Sequence, residues 1–257
     1  MDRIKKTTNI FSSFLFLRLD PGFRRLISNE KIAAKQEFEN MVGACQEKVF
    51  LRTYMTTGLR ADTDILFWRV SDNLEYLQDI CAKTFSVGVG RYFHATHSYL
   101  GIYHPDGARS ARHPCETAGH HNSALKPTAG DEAAAPKKDL EFGFLPKDTF
   151  GRHKFMLLHP VVKSHLWYEL SEEERQTLLT GRSAVIAKYK EIQENFFQSY
   201  GLDEQEMIVT REARHLDELV SATRELREQR IKNYTAIDKP VFLCIGRDLR
   251  EILDALS

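Results

Sequence analysis

The chain has 257 residues, 42% hydrophobic and 28% charged, an ordinary globular mixture with enough apolar material for one large domain or two small ones. Lys plus Arg and Asp plus Glu each number 36, so the net charge is zero and the overall field attracts neither nucleic acid nor an anionic membrane. No apolar run reaches membrane-spanning length, and Cys45, Cys81, Cys115 and Cys244 form no CxxC pair, which suits reduced thiols in a cytoplasmic protein rather than a disulfide framework.

Lys5-Lys6 runs into Phe11-Ser-Ser-Phe-Leu-Phe-Leu17 like the start of a secretory signal. No small-residue cleavage site follows, and Arg18 and Asp20 come at once, so Ile10 to Leu19 reads as a strand ended by the turn Asp20-Pro21-Gly22. From Phe23 to Cys45 apolar residues recur at helical spacing, at Phe23, Leu26, Ile27, Ala34, Phe38, Met41 and Val42. Strands are expected over Val49 to Met55 and Asp64 to Val70, a helix from about Asn73 to Phe85, and a strand over Tyr92 to Tyr103. This order, β-α-β-β-α-β, is the ferredoxin-like unit.

The pattern recurs toward the C-terminus. Phe155 to Val162 reads as a strand, and Ser171 with Glu174 forms a capping-box start for a helix. Glu191 to Tyr200 suits either an extended segment or more helix; then come a strand over Met207 to Thr210, a helix over Leu216 to Ile231 and a strand over Val241 to Ile245. The tail, Arg247 to Leu256, suits an amphipathic helix packed on the repeat or on a partner subunit. The fold class is therefore α+β, two ferredoxin-like repeats pairing their sheets as a dimeric α+β barrel: residues 1–104, an insert over 105–147, and residues 148–257. The insert is rich in Gly, Ala, Pro and His and has no periodicity, as in linkers and lids.

One residue breaks the hydrophobic pattern. Leu178, Arg182, Val185, Ile186 and Tyr189 share one helix face, so a guanidinium stands where leucine is expected. It cannot lose its charge at ordinary pH, so a buried position requires a carboxylate, a phosphate or another acceptor. The plain alternatives are a salt bridge to a nearby acid, or a side chain that snorkels to water.

The runs Leu51-Arg-Thr-Tyr-Met-Thr-Thr-Gly-Leu-Arg-Ala-Asp-Thr-Asp-Ile-Leu-Phe-Trp68, His97-Ser-Tyr-Leu-Gly101, Pro160-Val-Val-Lys163, Trp167-Tyr168, Glu173-Glu-Arg-Gln176 and Tyr200-Gly-Leu-Asp-Glu-Gln-Glu206 resemble the chlorite dismutase family, which includes the coproheme decarboxylases. The resemblance covers nearly all of the chain outside the insert. It implies two ferredoxin-like halves, a homo-oligomer such as a pentameric ring, and haem or coproheme in the C-terminal half, its iron held by a histidine on that half's first helix.

Three positions depart from the family's pattern. The iron-binding histidine is expected seven residues beyond Arg175, which lands on Arg182, and no histidine lies between His165 and His215. Arginine has no accessible lone pair for iron. Where the decarboxylases carry a redox-active tyrosine before proline, this chain has His159-Pro160. At the distal position, Arg or Gln in relatives, the alignment places Asn195, which offers an amide but no fixed charge. Lys163 and Trp167 match residues near the porphyrin edge, where a cation and an indole meet propionates and ring face, or else serve packing and helix entry.

The remaining histidines weigh toward structural roles. His94 and His97 have odd spacing, which puts them on opposite strand faces; His104 follows the strand, and His113, Cys115, His120 and His121 lie in the insert without a matched metal-ligand pair. Gly88-Val-Gly90 reads as a turn rather than a phosphate loop. The expectation is thus a chlorite dismutase-like protein with a divergent pocket, Arg182 gripping a carboxylate-bearing ligand, a porphyrin or another small anion. Two alternatives stand beside it: a haem-free structural or regulatory subunit of a ring, and a haem-dependent oxidoreductase ligated by His159.

Overall fold

The computed structural model describes residues 9–103 and 150–257, so the insert and its histidines, His104 and Cys115 lie outside the described residues. The N-terminal half contains β1 (Ile10–Leu19), α1 (Pro21–Arg24), α2 (Ser28–Cys45), β2 (Phe50–Met55), β3 (Ile65–Ser71), α3 (Leu74–Ser86), a 3-10 turn (Gly88–Tyr92) and β4 (Phe93–Tyr103). The C-terminal half contains β5 (Phe155–Lys163), α4 (His165–Glu169), α5 (Glu172–Ile186), β6 (Gln193–Gln198), β7 (Met207–Ala213), α6 (Leu216–Arg227), a 3-10 turn (Arg230–Tyr234), β8 (Thr235–Ile237), β9 (Phe242–Gly246) and α7 (Leu249–Leu256).

Each half arranges its strands in ferredoxin-like order, β4-β1-β3-β2 and β9-β5-β7-β6. The halves join at two seams, β2 against β9 and β4 against β6, where Ile102 faces Gln198. With β5 paired to β7, the strands close into a barrel, and β8 adds to the free side of β5 near its end. Among the described residues, closure leaves no long sheet edge open.

Strand alternation sorts the apolar residues into an interior and two helix-covered outer faces. Phe14, Phe16, Tyr54, Trp68, Met156, Phe197, Ile208 and Phe242 fill the barrel from both halves. Outside the N-terminal sheet, α2 and α3 pack on Leu15, Leu17, Ile65 and Phe67 as one continuous core. The C-terminal tail completes that core: α7 inserts Ile252, Leu253 and Leu256 beneath α2, and Lys35 pairs with Asp254 at 2.7 Å. Of the two partners open to the tail, this is the chain's own N-terminal half.

The N-terminal helix expected from Phe23 onward is broken, because Asp20 caps the short α1 at Gly22 and Ile27 is extended before α2 begins. The helix expected through Ile231 stops at Arg227 and finishes as the 3-10 turn. Glu191 to Tyr200 resolves in favour of a strand, and α5 ends at Ile186, which leaves Tyr189 in a turn. His94 and His97 lie on the same face, since a bulge in the β1–β4 ladder pairs Phe16 with His97 and Leu17 with Ala95 and so shifts the alternation by one. Gly88 and Gly90 form the 3-10 turn; a Cβ on Gly90 would stand 1.9 Å from the Thr84 carbonyl oxygen, so the turn packs against α3 with no room for a side chain.

The shared barrel interior and the docked tail make the halves one cooperative unit. Leu253 is 1% exposed. Leu253→Ala is expected to lower stability by about 2–5 kcal/mol. Single-tryptophan variants that retain Trp68 or Trp167 should report that loss as one shared denaturant transition; separate midpoints would show independent halves.

Candidate functional site

The C-terminal outer face is built differently from its N-terminal counterpart. Among the described residues it divides into three small apolar groups: one around Leu157, Ala213 and Leu219, one around Met207 and Val209, and one around Trp167, Leu179 and Ile231. Between them, β5, β6, β7, α5, α6 and the turn after α6 line a partly open cavity of about 100 Å³.

Helix α5 reaches this cavity from a firmly set start. Ser171 accepts from the Glu174 amide at 3.2 Å while Glu174 accepts from the Ser171 amide at 2.9 Å, the expected capping box, and Glu172 and Glu173 complement the helix dipole. Leu179 and Val185 are buried against the body of the half, and Arg182 points to the cavity with its side chain 11% exposed. Its guanidinium sits 4.8 Å from the centre of the Phe196 ring and donates to Glu194 Oε1.

The same carboxylate oxygen accepts from Arg211 Nε at 2.6 Å. Arg211 in turn directs Nη1 at His159 Nε2, also 2.6 Å away. A guanidinium only donates, so Nε2 is the acceptor and the neutral ring carries its proton on Nδ1. The salt-bridge alternative for Arg182 is therefore realised, but as a chain of four residues, Arg182, Glu194, Arg211 and His159, rather than a single pair. Burial pushes the Glu194 carboxyl up, yet Arg182 and Arg211 outweigh it and hold the group below its ordinary value. His159 is driven well below the ordinary imidazole range, first by burial and then by Arg211 and Arg182.

The residues singled out from sequence are only partly brought together. Arg182, His159 and Lys163 line the cavity. Trp167 lies beneath it, 1% exposed in the group with Leu179 and Ile231, and the Lys163 ammonium stands 4.3 Å from its ring centre. Asn195 is a correction: alternation along β6 turns it to the barrel side, where its amide donates to Thr210 Oγ1 at 3.4 Å, and Glu194 and Phe196 take the cavity side. His94 and His97 have separate carboxylates, Asp20 at 3.3 Å and Asp62 at 2.9 Å, far from this face in the N-terminal half.

Glu194 and Arg211 were not legible as site residues. Arg211 lies one residue past the expected end of its strand, and Glu194 adjoins the residue aligned to the distal position. The available signal was the need of Arg182 for a carboxylate within reach, combined with period-two alternation from Phe196 back to Glu194.

Comparison with known proteins follows the same lines. The chlorite dismutase family model matches residues 31–247. The chain belongs to the chlorite dismutase family. Among curated members, the coproheme decarboxylase of Mycolicibacterium smegmatis is 28% identical over 190 residues, 74% of this chain and 69% of the relative. Among solved structures, an arginine-to-alanine variant of the chlorite dismutase from Candidatus Nitrospira defluvii superposes with a TM-score of 0.78 at 16% identity, covering 98% of this chain and 97% of that one. The imidazole complex of the same enzyme gives 0.77 at 16% identity, with 98% and 97% covered. At such identity the superpositions establish the α+β fold of two ferredoxin-like halves. Among the described residues no helix is long and apolar enough to cross a membrane.

Two outcomes test the ion chain. Glu194→Gln leaves Arg182 and Arg211 buried without their carboxylate and is expected to cost about 3–5 kcal/mol in chemical denaturation; an unchanged midpoint would show that the pair is not held in solution. His159 binds its proton less readily when folded than when unfolded, so the unfolded chain takes up more protons as pH falls below about 6.5. Its contribution is thus absent above that pH and becomes destabilising below it. Stability measured from pH 8 to pH 5 should fall more steeply for wild type than for His159→Gln.

Proposed function

We propose that this family member works without an iron porphyrin and that its C-terminal cavity takes a small carboxylate-bearing ligand. The observation that carries this reading is the hydrogen-bonded chain Arg182, Glu194, Arg211 and His159, which occupies the side of α5 where the family resemblance expects an iron-binding histidine. These residues do not fit an iron porphyrin. Arg182 offers iron no lone pair, and His159, the imidazole on the cavity wall, uses Nε2 as the acceptor for Arg211. The space, about 100 Å³, is well below the ~300–1,000 Å³ of ordinary cofactor and drug-sized sites. His159 also replaces the tyrosine expected of the decarboxylases, so no residue at that place supports radical chemistry.

An organic acid suits the walls better. Val161, Phe196, Met207 and Val209 supply an apolar side, and Lys163, Arg182 and Arg211 supply basic groups. The homo-oligomeric ring implied by the resemblance belongs to the same reading. The depth of the ion chain also favours a second one, in which the subunit is haem-free and structural and Arg182 serves only folding.

Titration of the purified full chain with haem and with coproheme separates these from the haem-dependent alternative. Wild type is expected to give no stoichiometric complex with a shifted Soret band; a one-to-one complex would overturn the haem-free reading. A complex formed only by Arg182→His would mean that the scaffold still admits the porphyrin and that the ligand residue alone was lost.

A further inference from the structure

The N-terminal half holds its own buried arginine, and the thiols beside it lie outside the site described above. Arg69 of β3 is 2% exposed, and its Nη2 donates to Ser13 Oγ on the adjacent strand β1 at 2.9 Å. Its Nε and Nη1 have no hydrogen-bond partner among the described residues. Burial pulls the guanidinium below its ordinary value, and the neighbours that act the other way are the thiols of Cys81 on α3 and then Cys45 at the end of α2. No carboxylate among the described residues joins them. A guanidinium only donates, so two buried donor atoms lack the partner that suits them best, an anionic oxygen.

The thiols differ in what surrounds them. Cys244 in the barrel interior and Cys45 under the helices are both buried, and burial pushes both thiols up; Cys45 Sγ also rests 3.7 Å from Met41 Sδ. Cys81 is only half-buried, so a small reagent reaches its sulfur, and Arg69 stands beside it. Partial exposure next to a fixed cation is the setting of reactive cysteines, because sulfur attacks while carrying negative charge. Neither thiol closes a hydrogen bond to Arg69 Nε or Nη1. An oxygen added to the sulfur lengthens the side chain by one bond and brings the acceptor that those atoms lack.

We propose that Cys81 is a modification site, at which hydrogen peroxide oxidises the thiol to a sulfenic acid and Arg69 donates a hydrogen bond to the new oxygen. The sulfur attacks one peroxide oxygen, and the S–O bond forms as the O–O bond breaks. Sulfur gives up two electrons and the peroxide takes them; the displaced hydroxide leaves as water with the thiol proton, and the transferred oxygen keeps its own. Arg69 acts first on the charge that the attacking sulfur carries and then on the oxygen it has gained. This chemistry needs nothing from the C-terminal cavity.

Treatment of the reduced full chain with hydrogen peroxide in the presence of dimedone, followed by peptide mass mapping, tests this. The adduct is expected on Cys81 roughly tenfold faster than on Cys45 or Cys244. Arg69→Met removes the donors at similar volume and should slow labelling of Cys81 roughly tenfold, the effect of one charge-assisted hydrogen bond. Without dimedone, brief exposure to peroxide should raise the melting temperature of wild type, as the unpaired donors gain an acceptor, and should not raise that of Cys81→Ser. An unlabelled Cys81, equally fast labelling of Cys45 or Cys244, the wild-type rate in a folded Arg69→Met, or no rise in melting that depends on Cys81 would overturn the proposal. The melting comparison uses no Arg69 variant, so it decides the matter even if Arg69→Met fails to fold.

Discussion

A single carboxylate, Glu194, shared between two arginines, organises the C-terminal half. Arg182 comes from a helix and Arg211 from a strand, and neither guanidinium can be neutralised, so the half closes only when both reach an acceptor. Glu194 supplies it from the strand between them in space, with its side chain 5% exposed. The arrangement ties α5 to the sheet and, through Arg211, sets the tautomer of His159. Polar groups thus replace the apolar seal found on the other half, and a partly open cavity remains beside them.

The internal repeat makes this contrast interpretable. Arg69 and Arg211 each stand fifth in the third strand of their halves, on the helix-covered face. Opposite Arg69 across the ladder is Leu51; opposite Arg211 is Glu194. In the N-terminal half the arginine bonds Ser13 at 2.9 Å and the helices close over one continuous apolar core. In the C-terminal half the carboxylate draws in a second arginine, and the apolar material divides around the cavity. The same scaffold thus carries a continuous apolar packing face on one side and a polar chain beside a cavity on the other.

Much of the scaffold is legible in the chain because its signals are local. Period-two apolar runs mark the strands, the Ser171–Glu174 pair marks the start of α5, and the repeated β-α-β-β-α-β order gives the barrel. Errors cluster where two local rules compete. The Asp20 cap and Pro21 start a short helix that cannot continue into α2, and one bulge in the β1–β4 ladder brings His94 and His97 onto the same face. Asn195 misleads for the same kind of reason: position in an alignment is one residue away from the opposite face of a strand, and a shift by one exchanges cavity for barrel interior.

What the sequence by itself determined is the fold, the family resemblance and the anomaly of a permanent charge on an inward helix face, since each depends on neighbours along the chain. Which carboxylate meets that charge was decided only by the tertiary structure. Glu194 and Arg211 lie 12 and 29 positions from Arg182, on strands whose pairing sets which side chains turn outward together. Local pattern specifies elements and faces; long-range register determines which of those faces meet and which charges must share a partner.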